Sequence, residues 1–200
     1  MIKTLIFDLG NVIVSFDHRK TSKRLADAFN HADDVIYEKA VTSELVREYN
    51  LGRLSTDEFI AEVNRELNGQ IGYEDFFAAW NCTFLPEPII SEQFIESLSK
   101  KYKLLILSDT NEMHFDFIRE NYPVMNHFDD FVVSHRVNVS KPSAEIFQKA
   151  AELADCLPEE CLFIDDLAAN VEGARKFGMQ AIRFVSPEQL VEDLRARNLL

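Results

Sequence analysis

The chain is predicted to be an α/β protein: a parallel sheet covered by helices on both faces, with a helical insert after the first strand. Three observations predict it. Short apolar runs, too short for helices, recur along the 200 residues and stop at Gly, Ser or Asp. Amphipathic helical patterns of about 10 to 15 residues separate the later runs, which is the alternation of a parallel sheet. One long stretch, from about Ser15 to Pro88, breaks the alternation and carries helical spacing throughout.

The first run, Lys3 to Asp8 (KTLIFD), stops at Gly10 and suits a strand buried on both faces. In the insert that follows, Ser55-Thr56-Asp57-Glu58 reads as a capping box. Leu54, Phe59, Ile60, Val63 and Leu67 then lie at helical spacing. Phe76, Phe77, Trp80 and Phe84 are expected to pack the helices of the insert together. Pro86 and Pro88 mark the return to the sheet. Its second strand is Lys103 to Leu107, ending in Ser108-Asp109-Thr110-Asn111, and its third is Asp130 to Val133. A helix follows from Ser143, an N-cap, with Ile146, Phe147, Ala150, Ala151 and Ala154 on one face. Cys161 to Ile164 is the fourth strand and ends in Asp165-Asp166. The helix Ala168 to Phe177 stops at Gly178, Gln180 to Val185 is the fifth strand, and Ser186-Pro187 opens the last helix.

Composition excludes several classes. Hydrophobic residues make up 46% of the chain, too many for a disordered segment. With 21 Lys+Arg against 34 Asp+Glu, the net charge of -13 argues against a nucleic-acid backbone or an anionic membrane as partner. No apolar run approaches the roughly 20 residues of a membrane span. Met1-Ile2-Lys3 leads straight into a strand without the features of a signal peptide. Cys82, Cys156 and Cys161 fit neither a disulfide framework nor a zinc site, so a cytoplasmic location is expected. The five histidines show no metal-ligand spacing and are expected to be structural or exposed. His18 to Arg24 is the one dense basic run. It reads either as a solvated helix face or as a positive lip that draws in an anion.

In an open parallel sheet, ligands bind beyond the carboxyl ends of the strands. Here those ends, taken in order, supply Asp8, Ser108, Lys141 (in the loop after the third strand) and Asp165-Asp166. A carboxylate can attack phosphorus and form an aspartyl-phosphate. Three converging carboxylates repel unless a cation joins them, and Mg2+ favours oxygen ligands alongside phosphate. Ser108 can donate to a phosphate oxygen, and Lys141 supplies a point charge. Together these groups are what phosphoryl transfer requires.

The same residues carry a resemblance. Phe7-Asp8-Leu9-Gly10-Asn11-Val12, Leu107-Ser108-Asp109-Thr110-Asn111, Ser140-Lys141-Pro142 and Phe163-Ile164-Asp165-Asp166, continuing to Asn170-Val171-Glu172-Gly173-Ala174, resemble the four motifs of the haloacid dehalogenase-like hydrolases. The resemblance spans the whole chain. It implies a Rossmann-like core formed by residues 1–14 and 89–200, with an inserted all-helical cap at 15–88. Asp8 matches the nucleophile. Ser108 and Lys141 match the phosphate-binding positions, with the backbone N–H of Asp109 assisting. Asp166 matches the acidic metal ligand, Asp165 a second ligand or an outer partner, and Gly10 a carbonyl ligand. Asn170 is expected near Asp166, steadying the site. The implied activity is Mg2+-dependent hydrolysis of a small phosphorylated metabolite, a sugar phosphate in the first instance.

Two positions depart from the pattern. Most phosphatases of the family carry an acid/base aspartate two residues after the nucleophile, where this chain has Gly10. Losing such a group costs roughly 10² to 10⁴ in rate. The first motif nevertheless resembles a bacterial subgroup that includes α-glucose-1-phosphate phosphatases. Either the leaving group needs little help, or water or a cap residue supplies the proton. Asp109 stands where the subgroup more often has asparagine, a tolerable change if only its backbone is used. Two other readings stay open: a 2-haloacid dehalogenase, which attacks carbon without a metal, and a catalytically weak phosphometabolite-binding protein.

Overall fold

The computed structural model describes residues 1–200. Five strands form one parallel sheet: β1 (Thr4–Phe7), β4 (Lys103–Ser108), β5 (Asp130–Val133), β6 (Cys161–Asp165) and β7 (Gln180–Arg183), in the order β5-β4-β1-β6-β7. The chain builds outward from β1 to β4 and β5. It then returns to lay β6 and β7 on the other side, so the order reverses around β1. That reversal opens a crevice at the carboxyl ends of the central strands.

Side chains alternate across the strands, and the core divides accordingly. Leu5, Phe7, Leu104 and Ile106 face one layer; Ile6, Leu105, Leu107 and Phe163 face the other. The first layer contains α6 (Glu92–Ser99), α7 (Glu112–Asn121) and α11 (Pro187–Ala196). The second contains α9 (Ala144–Ala154) and α10 (Ala168–Phe177). The expected stops and starts are present: Ser143 caps α9, Ser186 caps α11, and Gly178 ends α10 at φ +106. A short α8 (Ser134–Val137) follows β5 directly.

Between β1 and α6 lie α1 (His18–Phe29), α2 (Asp33–Ile36), α3 (Glu44–Asn50), α4 (Thr56–Glu66) and α5 (Tyr73–Asn81). Their core joins Tyr49, Phe59, Phe76 and Trp80 to Met113 of α7. The Ser55–Glu58 capping box opens α4. This stretch departs from the expected all-helical insert at its two ends. Val14–Phe16 forms β2 and Phe84–Pro88 forms β3, an antiparallel two-stranded ribbon pairing Val14 with Pro88 and Phe16 with Phe84. The two prolines favour extended backbone, and a two-stranded ribbon is all edge, where the missing N–H groups cost little. No helix is long and apolar enough to cross a membrane.

Candidate active site

The sheet ladder fixes the first candidate residue. The Asp8 amide donates to Ile164 O at 2.8 Å, which sets the carboxyl just beyond the β1–β6 pair. The loop that follows folds back sharply: Asn11 donates to Val14 O, and Ile13 and Val14 both donate to Leu9 O. Asn11 takes φ +55, a left-handed conformation that asparagine tolerates. Asp8 Oδ1 accepts the Leu9 N–H at 2.7 Å and lies 2.8 Å from Lys141 Nζ.

Lys141 is 8% exposed and spends all three ammonium donors on the protein. Nζ reaches Asp8 Oδ1 at 2.8 Å, Asp165 Oδ2 at 2.8 Å and Leu107 O at 3.2 Å. Its own amide donates to Asp109 Oδ1 at 3.1 Å. The Asp109 side chain, and not only its backbone, therefore helps hold the lysine loop.

Asp165 and Asp166 are adjacent but differently employed. Asp165 is fully buried and its oxygens are taken. Oδ1 accepts from Leu167 N and Asn170 Nδ2, and Oδ2 from Lys141 and Asn170 Nδ2, all within 2.8–3.1 Å. Asp166 is half-buried and faces the cleft, with Asn11 Nδ2 3.5 Å from its Oδ2. Asn170, expected near Asp166, lines the same cavity as Asp166 and makes its hydrogen bonds to Asp165. Asp165 lies buried under the first turn of α10, which carries Asn170 inward, whereas Asp166 turns out toward the β1 loop.

Carboxylate oxygens of Asp8, Asp165 and Asp166 lie within 4.8 Å of one another. Burial raises Asp8 to about 7, with Lys141 opposing and Asp165 adding to the rise. Burial, then the charge of Asp165, raises Asp166. Asp109 opens to solvent inside the cleft, yet the walls around it desolvate it and raise it too, against the pull of Lys141. Desolvation works against the Lys141 charge, but Asp8, Asp165 and Asp109 outweigh it and hold the ammonium firmly protonated. Four carboxylates thus share one buried ammonium, a deficit of positive charge. Hard oxygen donors short of positive charge suit a divalent cation such as Mg2+. Asp166 and the unengaged oxygen of Asp8 are the carboxylate atoms able to meet it.

Two cavities meet at these residues. One, of about 290 Å³, opens over Asp8, Lys141 and Asp166. The other, of about 190 Å³, runs beneath the helices of the insert and is lined by Trp80, Phe84, Asn50, His18 and His114 among others. Gly10, Phe16, Ser108 and Asp109 line both. Ser108, expected on the phosphate, is buried at the end of β4 and stands at this junction.

Hydrogen bonds hold the insert to the sheet beside the second cavity. Asn111 Nδ2 donates to Asn50 Oδ1 at 2.9 Å, Trp80 Nε1 to Asn111 Oδ1 at 3.3 Å, and Ser134 Oγ to Asn50 O at 2.6 Å. Sequence reasoning gave no role to Asn11, Asn50, Asn111 or Phe16, and took His18 only as the first residue of the basic run. Asn11 and Asn111 had a signal, since both lie within quoted motifs. The basic run lies on α1 with Arg19, Lys20, Lys23 and Arg24 all exposed, and its first turn borders the second cavity through His18 and Thr21.

The family model for haloacid dehalogenase-like hydrolases matches residues 2–178. A D-ribitol-5-phosphate phosphatase of Bacteroides thetaiotaomicron is 28% identical over 194 residues, covering 92% of each chain. A HAD family enzyme of the same organism, solved with magnesium and inorganic phosphate, superposes with a TM-score of 0.84 at 25% identity, covering 93% of this chain and 96% of that one. A HAD-like hydrolase of Porphyromonas gingivalis gives 0.83 at 28% identity over 99% and 98%.

Proposed function

Because this chain belongs to the haloacid dehalogenase-like hydrolases, we propose that it is a Mg2+-dependent phosphatase acting on a small phosphorylated metabolite, a sugar or polyol phosphate, through an aspartyl-phosphate on Asp8. The observation that carries the reading is Lys141 Nζ held 2.8 Å from both Asp8 and Asp165, with Asp166 facing the same cleft.

Asp8 is the nucleophile: its carboxylate attacks phosphorus, and the Leu9 N–H and Lys141 fix its orientation. Lys141 offsets the charge that builds on the phosphoryl oxygens, and Asp165 with Asn170 keeps it in place. Ser108 and the Asp109 N–H donate to the phosphate. Asp166, the free oxygen of Asp8 and the Gly10 carbonyl would hold Mg2+; Asp165, with its oxygens taken, acts behind them. Bound there, the metal would offset the repulsion between the phosphate and the carboxylates. The cavity of about 190 Å³ takes the leaving group, a volume suited to a short polyol or sugar and not to a polymer. The net charge of -13 favours such a small anion over nucleic acid or a membrane surface.

Phosphate release from a panel of sugar and polyol phosphates tests the reading. Activity should require Mg2+, vanish with chelator, and fall at least about 10³-fold in Asp8→Asn. Halide release that survives chelation, without phosphate release, would make the chain a dehalogenase. Tight phosphate-ester binding without turnover would make it a binding protein.

A further inference from the structure

The family aspartate missing at position 10 leaves the leaving group without an evident proton donor, and a side chain there would collide with a neighbouring ring. A Cβ on Gly10 would lie 2.8 Å from Phe16 Cε1, closer than side-chain carbons approach. Phe16 pairs with Phe84 in the ribbon, and its ring lies 4.7 Å from the His18 ring between centroids. The ring that fills the absent side chain's place thus carries an imidazole beside it.

Three titratable side chains line the cavity under the insert: His18, Asp109 and His114. His114 is committed to structure. Its ring nitrogens meet Asn111 Nδ2 and Trp80 O at 3.3 Å each, and burial lowers it to about 3. Asp109 is committed to the Lys141 amide. His31, His127 and His135 likewise have a ring nitrogen bound to the protein. His18 alone among the five histidines has no such partner, and it is half-buried on the wall shared with Gly10 and Ser108.

We propose that His18 is the catalytic acid and base of this site, taking over from the side chain that position 10 lacks. In the first step Asp8 Oδ bonds to phosphorus, the phosphorus–oxygen ester bond breaks, and the departing oxygen takes its electron pair and a proton from the His18 ring N–H. In the second, water occupies the position the alcohol has left. Its oxygen bonds to phosphorus, its proton passes to His18, and the acyl-phosphate bond breaks to return the Asp8 carboxylate and inorganic phosphate. Ester and water give alcohol and phosphate, and His18 ends as it began. The charged and titratable neighbours of His18 are Asp17, which favours the imidazolium, and His114. Burial lowers His18 in the free protein, and an arriving phosphate dianion raises it again.

The assignment rests on the phosphatase reading, and one experiment separates the two. Wild type, His18→Gln and His18→Asn, matched by thermal unfolding, are assayed with Mg2+ on aryl phosphates graded in leaving-group acidity. The expected result is a steeper dependence of kcat/KM on leaving-group pKa in both variants. The loss on the poorest leaving group should exceed that on the best by at least about tenfold, as removal of a general acid predicts. Parallel lines, whether displaced or coincident, overturn the assignment and leave the phosphatase standing. Wild-type protein that releases phosphate from none of the esters overturns both.

Discussion

The two cavities that meet at Gly10 are built differently. The strand-end cavity is charged. Asp8 and Asp165 are buried at the ends of β1 and β6, and Lys141, in the loop after α8, is held 2.8 Å from both and bonded to Leu107 O of β4. The cavity under the insert is largely uncharged and aromatic, with Asp109 its one acidic residue, and is closed by Asn50, Asn111 and Trp80 in hydrogen bonds between helices. A sheet ladder places a strand end rigidly, which suits groups that must meet a reacting phosphorus. Helix packing against α7 sets the other wall, and its residues can differ without disturbing the nucleophile. Phe16 and Gly10 stand on the boundary and join the two.

The largest way to break this contrast is to empty the charged side of its cation. Lys141→Met leaves Asp8 and Asp165 buried without their partner and should cost about 3–5 kcal/mol, measured by urea unfolding. The cost should grow from pH 5 to pH 8 as the carboxylates ionise. A loss of under about 1 kcal/mol, the scale of an exposed ion pair, would show that Lys141 does not hold the cluster together.

Metal binding sharpens the contrast next. The folded-state pKa of Asp8, about 7, lies above the ordinary carboxylate value of 3.8. Its contribution to stability is therefore full below about 3.8 and is lost as pH rises through about 7. Without metal, the charged side should weaken over that window. Mg2+ needs the ionised carboxylate, so it should stabilise more at pH 8 than at pH 5. At 100 times its Kd, the gain is about 2.7 kcal/mol, or roughly 5–10 °C in Tm. Equal shifts at the two pH values would contradict the placement of metal on Asp8.

The smallest effect is at the boundary. Gly10→Asp should destabilise by about 1–3 kcal/mol through overpacking against Phe16, and Gly10→Asp combined with Phe16→Ala should recover part of it. Thermal unfolding of the single and double variants reads the difference. A neutral single variant would mean that Phe16 swings aside.

Much of the charged side was legible before any coordinates. Asp8, Ser108 and Asp165-Asp166 each close a short apolar run, and a run too short for a helix marks its own end in an alternating chain. The aromatic side was not. Asn50 lies at the end of α3, and nothing local marks it as the partner of Asn111, 61 positions away. His18 sits in a basic run that reads equally as a solvated face. The ribbon of β2 and β3 was hidden because helical spacing on either side masks two short extended segments.

The sequence by itself determined the order of the five sheet strands and the main helices between them, the strand ends that carry reactive groups, and the family. Periodicity and capping are local, so neighbouring residues suffice to specify them. Only tertiary structure decided which aspartate of the pair binds Lys141, which of the two Asn170 supports, and that a phenylalanine fills the space beside Gly10. Those choices depend on contacts between residues far apart in the chain, 24 positions for Lys141 and Asp165 and 155 for Asn11 and Asp166. Only packing brings such atoms within reach of one another.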